Sequence, residues 1–328
     1  MGLTLHVGLS KTGTTSIQLF LWRNRNILLK KFGILYPKTG IKEKLGYGQH
    51  LIPNILRSKQ NYSDLKNMLI REINNHKADN IVISSEEFIF SCPKKVYKFF
   101  DFIHTEKIVI YLRRQDLWIE SLYKEYVKNI HSRGTMSFKD FLKGAPHIKI
   151  CFFSNFVERW KEVFPNTEII LKFYDRKLFQ YENIIFDFLP LIGLSHSKMS
   201  FHFHKLETKL ETNRSLSTIS TLVLRMINEN LNLNDSDHKK VVQLLFEMDN
   251  KYASHKKTSL FSLSDRIEFL NTFEKSNKIV SNLFFNNNDI FRLTDEEMEI
   301  YKRQIYPSET EIKERYIEIL RSLEKKIK

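Results

Sequence analysis

The 328-residue sequence predicts an α/β fold in which a parallel sheet carries helices on both faces and is followed by a helical carboxy-terminal half. Three observations point there. Short, near-continuous Val/Ile/Leu runs stand at Leu3 to Val7, Ile81 to Ser84, Lys107 to Leu112 and Glu168 to Phe173, the pattern of strands buried on both faces. A helical pattern follows each run, and alternation of strand with helix marks parallel crossovers. From about Asn213 the strand signals fade, and amphipathic stretches of helix length separated by Asn and Ser breaks take over. The expected organisation is an α/β core over residues 1–212 and a helical extension over 213–328, packed on the core as one structural domain.

Composition supports a packed core. Hydrophobic residues make up 42% of the chain, with 26 Phe among them, which is the globular range and excludes a disordered chain. The formal net charge of +14 is spread along the whole length. Such a field favours anionic ligands such as phosphates, acidic glycans, nucleic acid or an anionic membrane surface, without choosing among them. The two cysteines, Cys92 and Cys151, have neither CxxC nor metal-ligand spacing, so no disulfide framework or zinc site is expected. The amino terminus enters a strand with no basic, apolar leader, and no apolar run approaches the ~20 residues that span a bilayer. The expectation is a cytoplasmic protein without a transmembrane segment, with peripheral membrane contact left open.

The strongest local signal is His6-Val7-Gly8-Leu9-Ser10-Lys11-Thr12-Gly13-Thr14-Thr15-Ser16, between the first strand and a good helix. A strand delivers this segment to the carboxyl edge of the sheet, and glycines permit a tight turn. The first N–H groups of the helix then face whatever sits there, which is a place for an anion. Ile17, Phe20, Leu21, Ile27 and Leu28 supply the helix with an apolar side, and Gly33 supplies its stop. The fold is thus of P-loop nucleotide-binding type, but the order differs from GxxxxGK[ST], because the lysine precedes the second glycine and Thr14-Thr15 follow it. One lysine, two hydroxyls and helix N–H groups suit a leaving group of lower charge than a triphosphate, held without a divalent ion.

This arrangement, KxGT[TS], resembles the 5′-phosphosulfate loop of sulfotransferases that use 3′-phosphoadenosine-5′-phosphosulfate (PAPS). The resemblance implies that Ser10, Lys11, Thr12, Gly13, Thr14, Thr15 and Ser16 bind PAPS, with Lys11 stabilising the bridging oxygen as the bond breaks. It also implies a grip on the 3′-phosphate by an arginine at a strand end and a serine eight residues on. Arg113 and Ser121 match that spacing, and a planar guanidinium with a hydroxyl suits a phosphate dianion. Arg114 could substitute or assist. The sequence departs from the cytosolic small-molecule enzymes in lacking their RKG-type loop. Lys198, Lys205 and Arg214 are the cations left for that work, and none is assigned.

Between these anchors, Ile81 to Ser84 leads into Ser85-Glu86-Glu87, where the resemblance implies a catalytic base. A hydroxyl attacking sulfur must lose its proton to a carboxylate or imidazole within hydrogen-bond reach. Glu86 is preferred to Glu87, and His50, in Gly46-Tyr47-Gly48-Gln49-His50, is the rival base or an acceptor-binding residue. Diffuse likeness at Phe156 to Trp160, Ile169 to Asp175, Phe186 to Leu194 and Asn213 to Ser217 points to bacterial, carbohydrate-modifying members. The expected activity is transfer of a sulfuryl group from PAPS to a hydroxyl, on a glycan or another acceptor, leaving 3′,5′-adenosine bisphosphate, with no metal required and no nucleic-acid partner. The alternatives are a P-loop nucleotide kinase or NTPase, and a non-enzymatic basic module binding glycan or nucleic acid. His202-Phe203-His204 lacks the nearby acids or cysteines of a metal site, and the Phe, Tyr and Lys residues from Tyr97 to Phe102 fit an amphipathic helix better than a stacking platform.

Overall fold

The computed structural model describes residues 1–42, 46–58, 60–144, 146–194, 215–252 and 258–327. The chain divides into two compact units, one formed by Met1–Arg113 with Ser154–Thr212 and the other by Arg114–Phe153 with Asn213–Lys328.

The first unit contains a five-stranded, wholly parallel sheet of strands β1 (Gly2–Gly8), β2 (Ile34–Leu35), β3 (Asn80–Ser84), β4 (Thr105–Leu112) and β5 (Glu168–Phe173), in the order β2-β3-β1-β4-β5. Four of these are the strands that the sequence predicts. The fifth, β2, is two residues long, too short for any pattern to mark. Val82, Val109 and Tyr111 pack with Ile17, Phe20, Leu21 and Leu28 of α1 (Thr14–Phe32) and with Ile184, Ile185 and Phe188. The alternate residues Ile81, Ile83, Ile108 and Ile110 are equally buried, so both faces of the sheet are covered, as continuous apolar strands require. Gly33 ends α1 as expected, in the left-handed region at φ 65° and with its N–H directed to Leu28 and Leu29 carbonyls.

The strand order places the site. From β1 the chain steps to β2 and back to β3 on one side, then crosses to β4 and β5 on the other, so the connections part company at β1. In open parallel sheets, ligands bind at the carboxyl ends of the strands where this reversal occurs. Residues 9–13, the turn after Ser84 and the end of β4 all emerge there, and the register His6↔Ser84 and Gly8↔Ile110 aligns their starting points. His6 is fully buried beneath this edge with Nδ1 2.8 Å from Ser84 Oγ, and burial lowers its pKa to about 3, so it is a neutral core residue.

The second unit is helical. Asn and Ser breaks in the sequence supply helix N-caps: Ser217, Asn234 and Ser262 accept from the backbone N–H of Ser220, Asp237 and Asp265, and Thr294 accepts from Glu297 N–H in a capping box. Segment 114–153, which chain order leaves with the first 212 residues, groups here for a physical reason. Asp116 and Glu120, on the helix Gln115–Lys128, hold Arg266. Tyr123 of the same helix packs on Phe138, which meets Phe261 with ring centroids 4.9 Å apart. No helix among the described residues is long and apolar enough to cross a membrane.

Candidate functional site

The turn after β1 is built by its own backbone. Leu9 N–H donates to Tyr111 O (3.0 Å), extending the pairing with β4, and the Thr12 hydroxyl donates to Leu9 O (2.6 Å). Thr12 is therefore buried inside the turn and holds its shape, whereas Thr15 is exposed and Ser10, Lys11 and Ser16 are half-buried. Lys11 stands at φ 62° and Gly13 at φ 79°, two left-handed residues that swing the chain into α1. Gly13 is required twice over: besides its positive φ, a Cβ there would lie 2.9 Å from Ile184 Cδ1 and 3.1 Å from Tyr174 Cε2. Gly13 brings no side chain to cap α1, and the first turn of that helix has no acid. The first turn of this 19-residue helix thus carries no acid of its own, and a helix N-terminus of that kind favours an anion.

Arg113 reaches this turn. Its Nη1 donates to Lys11 O (3.1 Å), and its guanidinium lies 5.7 Å from the centre of the Tyr174 ring. The residue expected to grip a distant phosphate is therefore also tied to the backbone of the loop. Arg114 does not assist it. Its side chain is buried and paired with Asp116 (2.8 Å) and Glu297 (2.7 Å) in the second unit. Ser121 is half-buried on Gln115–Lys128 of that unit.

Both candidate bases lie in the first unit at the end of β3. Ser85 N–H donates to His6 O (3.0 Å), and Ser85 Oγ caps the 3-10 turn Glu86–Phe90 by accepting from Glu87 N–H. Glu86 then packs against the start of the turn after β1 so closely that a Cβ on Gly8 would lie 3.2 Å from Glu86 Cα. Glu87 turns elsewhere, into an ion pair with Arg57 at 2.7 Å. His50 is buried with Nδ1 2.8 Å from Ser85 Oγ. Its loop is locked to β3 by Gln49, which donates from its backbone to Ser84 O (2.9 Å), accepts from Ser84 N–H (2.8 Å) and donates from Nε2 to Pro37 O (2.8 Å). Glu86 and His50 thus flank one serine. Burial first, and then the charge of Glu86, push the Tyr36 phenol well above its usual pKa, with Gln49 opposing. Tyr36 stays protonated and donates to Tyr47 O (2.7 Å), which fixes the same loop.

Three neighbours escaped the sequence reading. Tyr174 and Ile184 seal the back of Gly13. Gln18 donates to Glu86 Oε2 at 2.6 Å, and its only sequence signal is its place four residues after Thr14 on the same side of α1. Lys198, Lys205, Arg214 and the His202-Phe203-His204 pair lie outside the described residues.

No protein-family model matches the chain. It is 42% identical over 246 residues to an uncharacterized protein of Archaeoglobus fulgidus, a stretch that makes up 73% of this chain and 64% of that relative, so the chain spans just under two thirds of the relative's length. Among solved structures it resembles a sulfotransferase from Alicyclobacillus acidocaldarius, at 16% identity and a TM-score of 0.38, over 70% of this chain and 92% of that one. A likeness of that size transfers no activity, and the fold assignment stands on the sheet topology itself.

Proposed function

We propose that the chain is a sulfotransferase that moves the sulfuryl group of PAPS to a hydroxyl, with a glycan as the favoured acceptor. One observation carries the reading: a KxGTT anion loop and the carboxylate-bearing end of the neighbouring strand meet at Gly8, at the reversal point of a parallel sheet. In this reading the acceptor oxygen bonds to sulfur, the bond from sulfur to the bridging phosphate oxygen breaks, and the acceptor proton passes to Glu86. Lys11 and the first N–H groups of α1 meet the charge that grows on the departing bisphosphate. Ser10, Thr14, Thr15 and Ser16 surround the 5′ side, Thr12 and Gly13 shape the loop, and Arg113 recognises the 3′-phosphate. Most of the acceleration then comes from positioning and charge stabilisation.

Calorimetry of 3′,5′-adenosine bisphosphate against 5′-AMP, ADP and ATP, each with and without magnesium, tests the donor side. The bisphosphate is expected to bind without magnesium and far more tightly than 5′-AMP. Equal affinity for bisphosphate and 5′-AMP would remove the basis for a PAPS site, and tight, magnesium-dependent ATP binding would favour a kinase or NTPase.

Arg113→Ala should weaken bisphosphate binding by about 2–3 kcal/mol, the scale of a lost charge-assisted contact. The bond to Lys11 O adds a second effect, because a loosened loop weakens 5′-AMP as well. The ratio of the two affinities, measured in the variant and the parent, separates the roles: a collapsed ratio is expected from 3′-phosphate recognition, and an unchanged ratio assigns Arg113 to the loop alone.

A further inference from the structure

We infer that Gln18 is a positioning residue for Glu86, holding the carboxylate at the angle from which it takes the acceptor proton. The inference rests on the sulfotransferase reading and deepens it. Gln18 is only 2% exposed, and its Nε2 donates to Glu86 Oε2 at 2.6 Å. The amide is confined from a second side, because a Cβ on Gly48 would lie 2.7 Å from Gln18 Cδ and 2.8 Å from Nε2. Gly48 belongs to the loop that Gln49 locks to β3 and that presents His50. One side chain therefore touches the carboxylate and the His50 loop, from a helix whose first turn is the anion site.

This placement has a chemical consequence. Glu86 follows a strand end and begins a single 3-10 turn, so its side chain has little support from its own element. A carboxylate on such a turn samples several χ angles unless another group selects one. Gln18 makes that selection and occupies Oε2, which leaves Oε1 as the oxygen presented to an acceptor hydroxyl. Because Gln18 rides on α1 four residues after Thr14, the distance between the phosphate loop and the base is fixed by one turn of helix. Misplacing a reacting group by an ångström is enough to cost a large part of the rate.

The test is a double-mutant cycle on the full-length chain, with Gln18→Met, Glu86→Gln and the double variant. Turnover is measured as 3′,5′-adenosine bisphosphate released from PAPS in the presence of a panel of glycan acceptors, and donor affinity by calorimetry with 3′,5′-adenosine bisphosphate. Gln18→Met keeps the volume and loses the donor. It is expected to lower kcat by about 10-fold with donor affinity unchanged within about twofold, and to cost nothing further in the Glu86→Gln background. Gln18→Glu, closer still in shape, turns the donor into a like charge and serves if the Met variant folds poorly; it is expected to lower kcat at least as far. A Gln18 cost that is the same in both backgrounds marks a general packing role and overturns the inference, as does a loss confined to donor affinity. Parent protein that turns over PAPS while these results fail sinks the inference alone. Parent protein that transfers nothing from PAPS to any acceptor removes the sulfotransferase reading and this inference with it.

Discussion

Replacing Glu86 by Gln is expected to lower sulfuryl transfer by about 10²-fold or more while 3′,5′-adenosine bisphosphate binds as before. The amide preserves shape and the contact with Gln18 but cannot accept the acceptor proton. Lys11→Ala should behave differently. The lysine would meet the phosphosulfate in the ground state and more charge in the transition state, so donor affinity and kcat should fall together. Glu87→Gln is expected to be mild, because Glu87 faces Arg57. The rival assignment uses the same measurements. If Glu86→Gln turns over normally and His50→Ala abolishes transfer with donor affinity intact, the imidazole beside Ser85 is the base.

Asp116→Ala should destabilise the second unit by about 3–5 kcal/mol, read from urea unfolding followed by tryptophan fluorescence of the full chain. Asp116 is completely buried between Arg114, at 2.8 Å, and Arg266, which it contacts at hydrogen-bond range. Removing it leaves two buried guanidinium groups without the carboxylate they share, Arg114 keeping Glu297 and Arg266 keeping Glu120. The pH dependence has a definite sign. Burial alone would raise the Asp116 pKa, but the charge and hydrogen bonds of Arg114, then those of Arg266, hold it below the usual 3.8. A carboxyl whose folded value is depressed contributes its stability in full above the unfolded value and loses it as the pH falls through the folded one. The gap between parent and Asp116→Ala is therefore expected to be constant above about pH 4 and to close in stronger acid. A cost below 1 kcal/mol at neutral pH would show that the network is not held in this form.

The strand runs, the turn around Gly13, the stop at Gly33 and the Asn and Ser breaks between helices were readable because each depends on neighbours in the chain: apolar periodicity, a positive φ, or a polar residue at a helix start. The preference for Glu86 comes from the family resemblance, which implies a base at this strand end. The choice of Glu86 over Glu87 by contact is tertiary: Gly8 approaches one, and Arg57, from another helix, takes the other.

The Arg113-Arg114 pair shows where local reading stops. The two residues are adjacent and chemically identical, and no rule of spacing says that one bonds the carbonyl of Lys11 while the other is buried against Asp116 and Glu297. That division follows from the chain leaving β4 and entering a helix of the other unit between them. The hydroxyl of Thr12 is similar, since the motif counts it with Thr14 and Thr15 but the turn draws it inward to Leu9 O.

By itself, then, the sequence determined an α/β protein with a parallel sheet, a tight glycine-bearing turn between the first strand and the first helix, and a helical carboxy-terminal part, because these are written in contacts between near neighbours. Only the tertiary structure decided that β2 exists at the sheet edge, that His50 and Glu86 share Ser85 as a neighbour, that Gln18 grips Glu86 and that Arg114 is a structural cation. The first three of those pairings join residues tens of positions apart. Their meeting depends on the strand order β2-β3-β1-β4-β5 and its register, which burial of both sheet faces selects and no local pattern encodes.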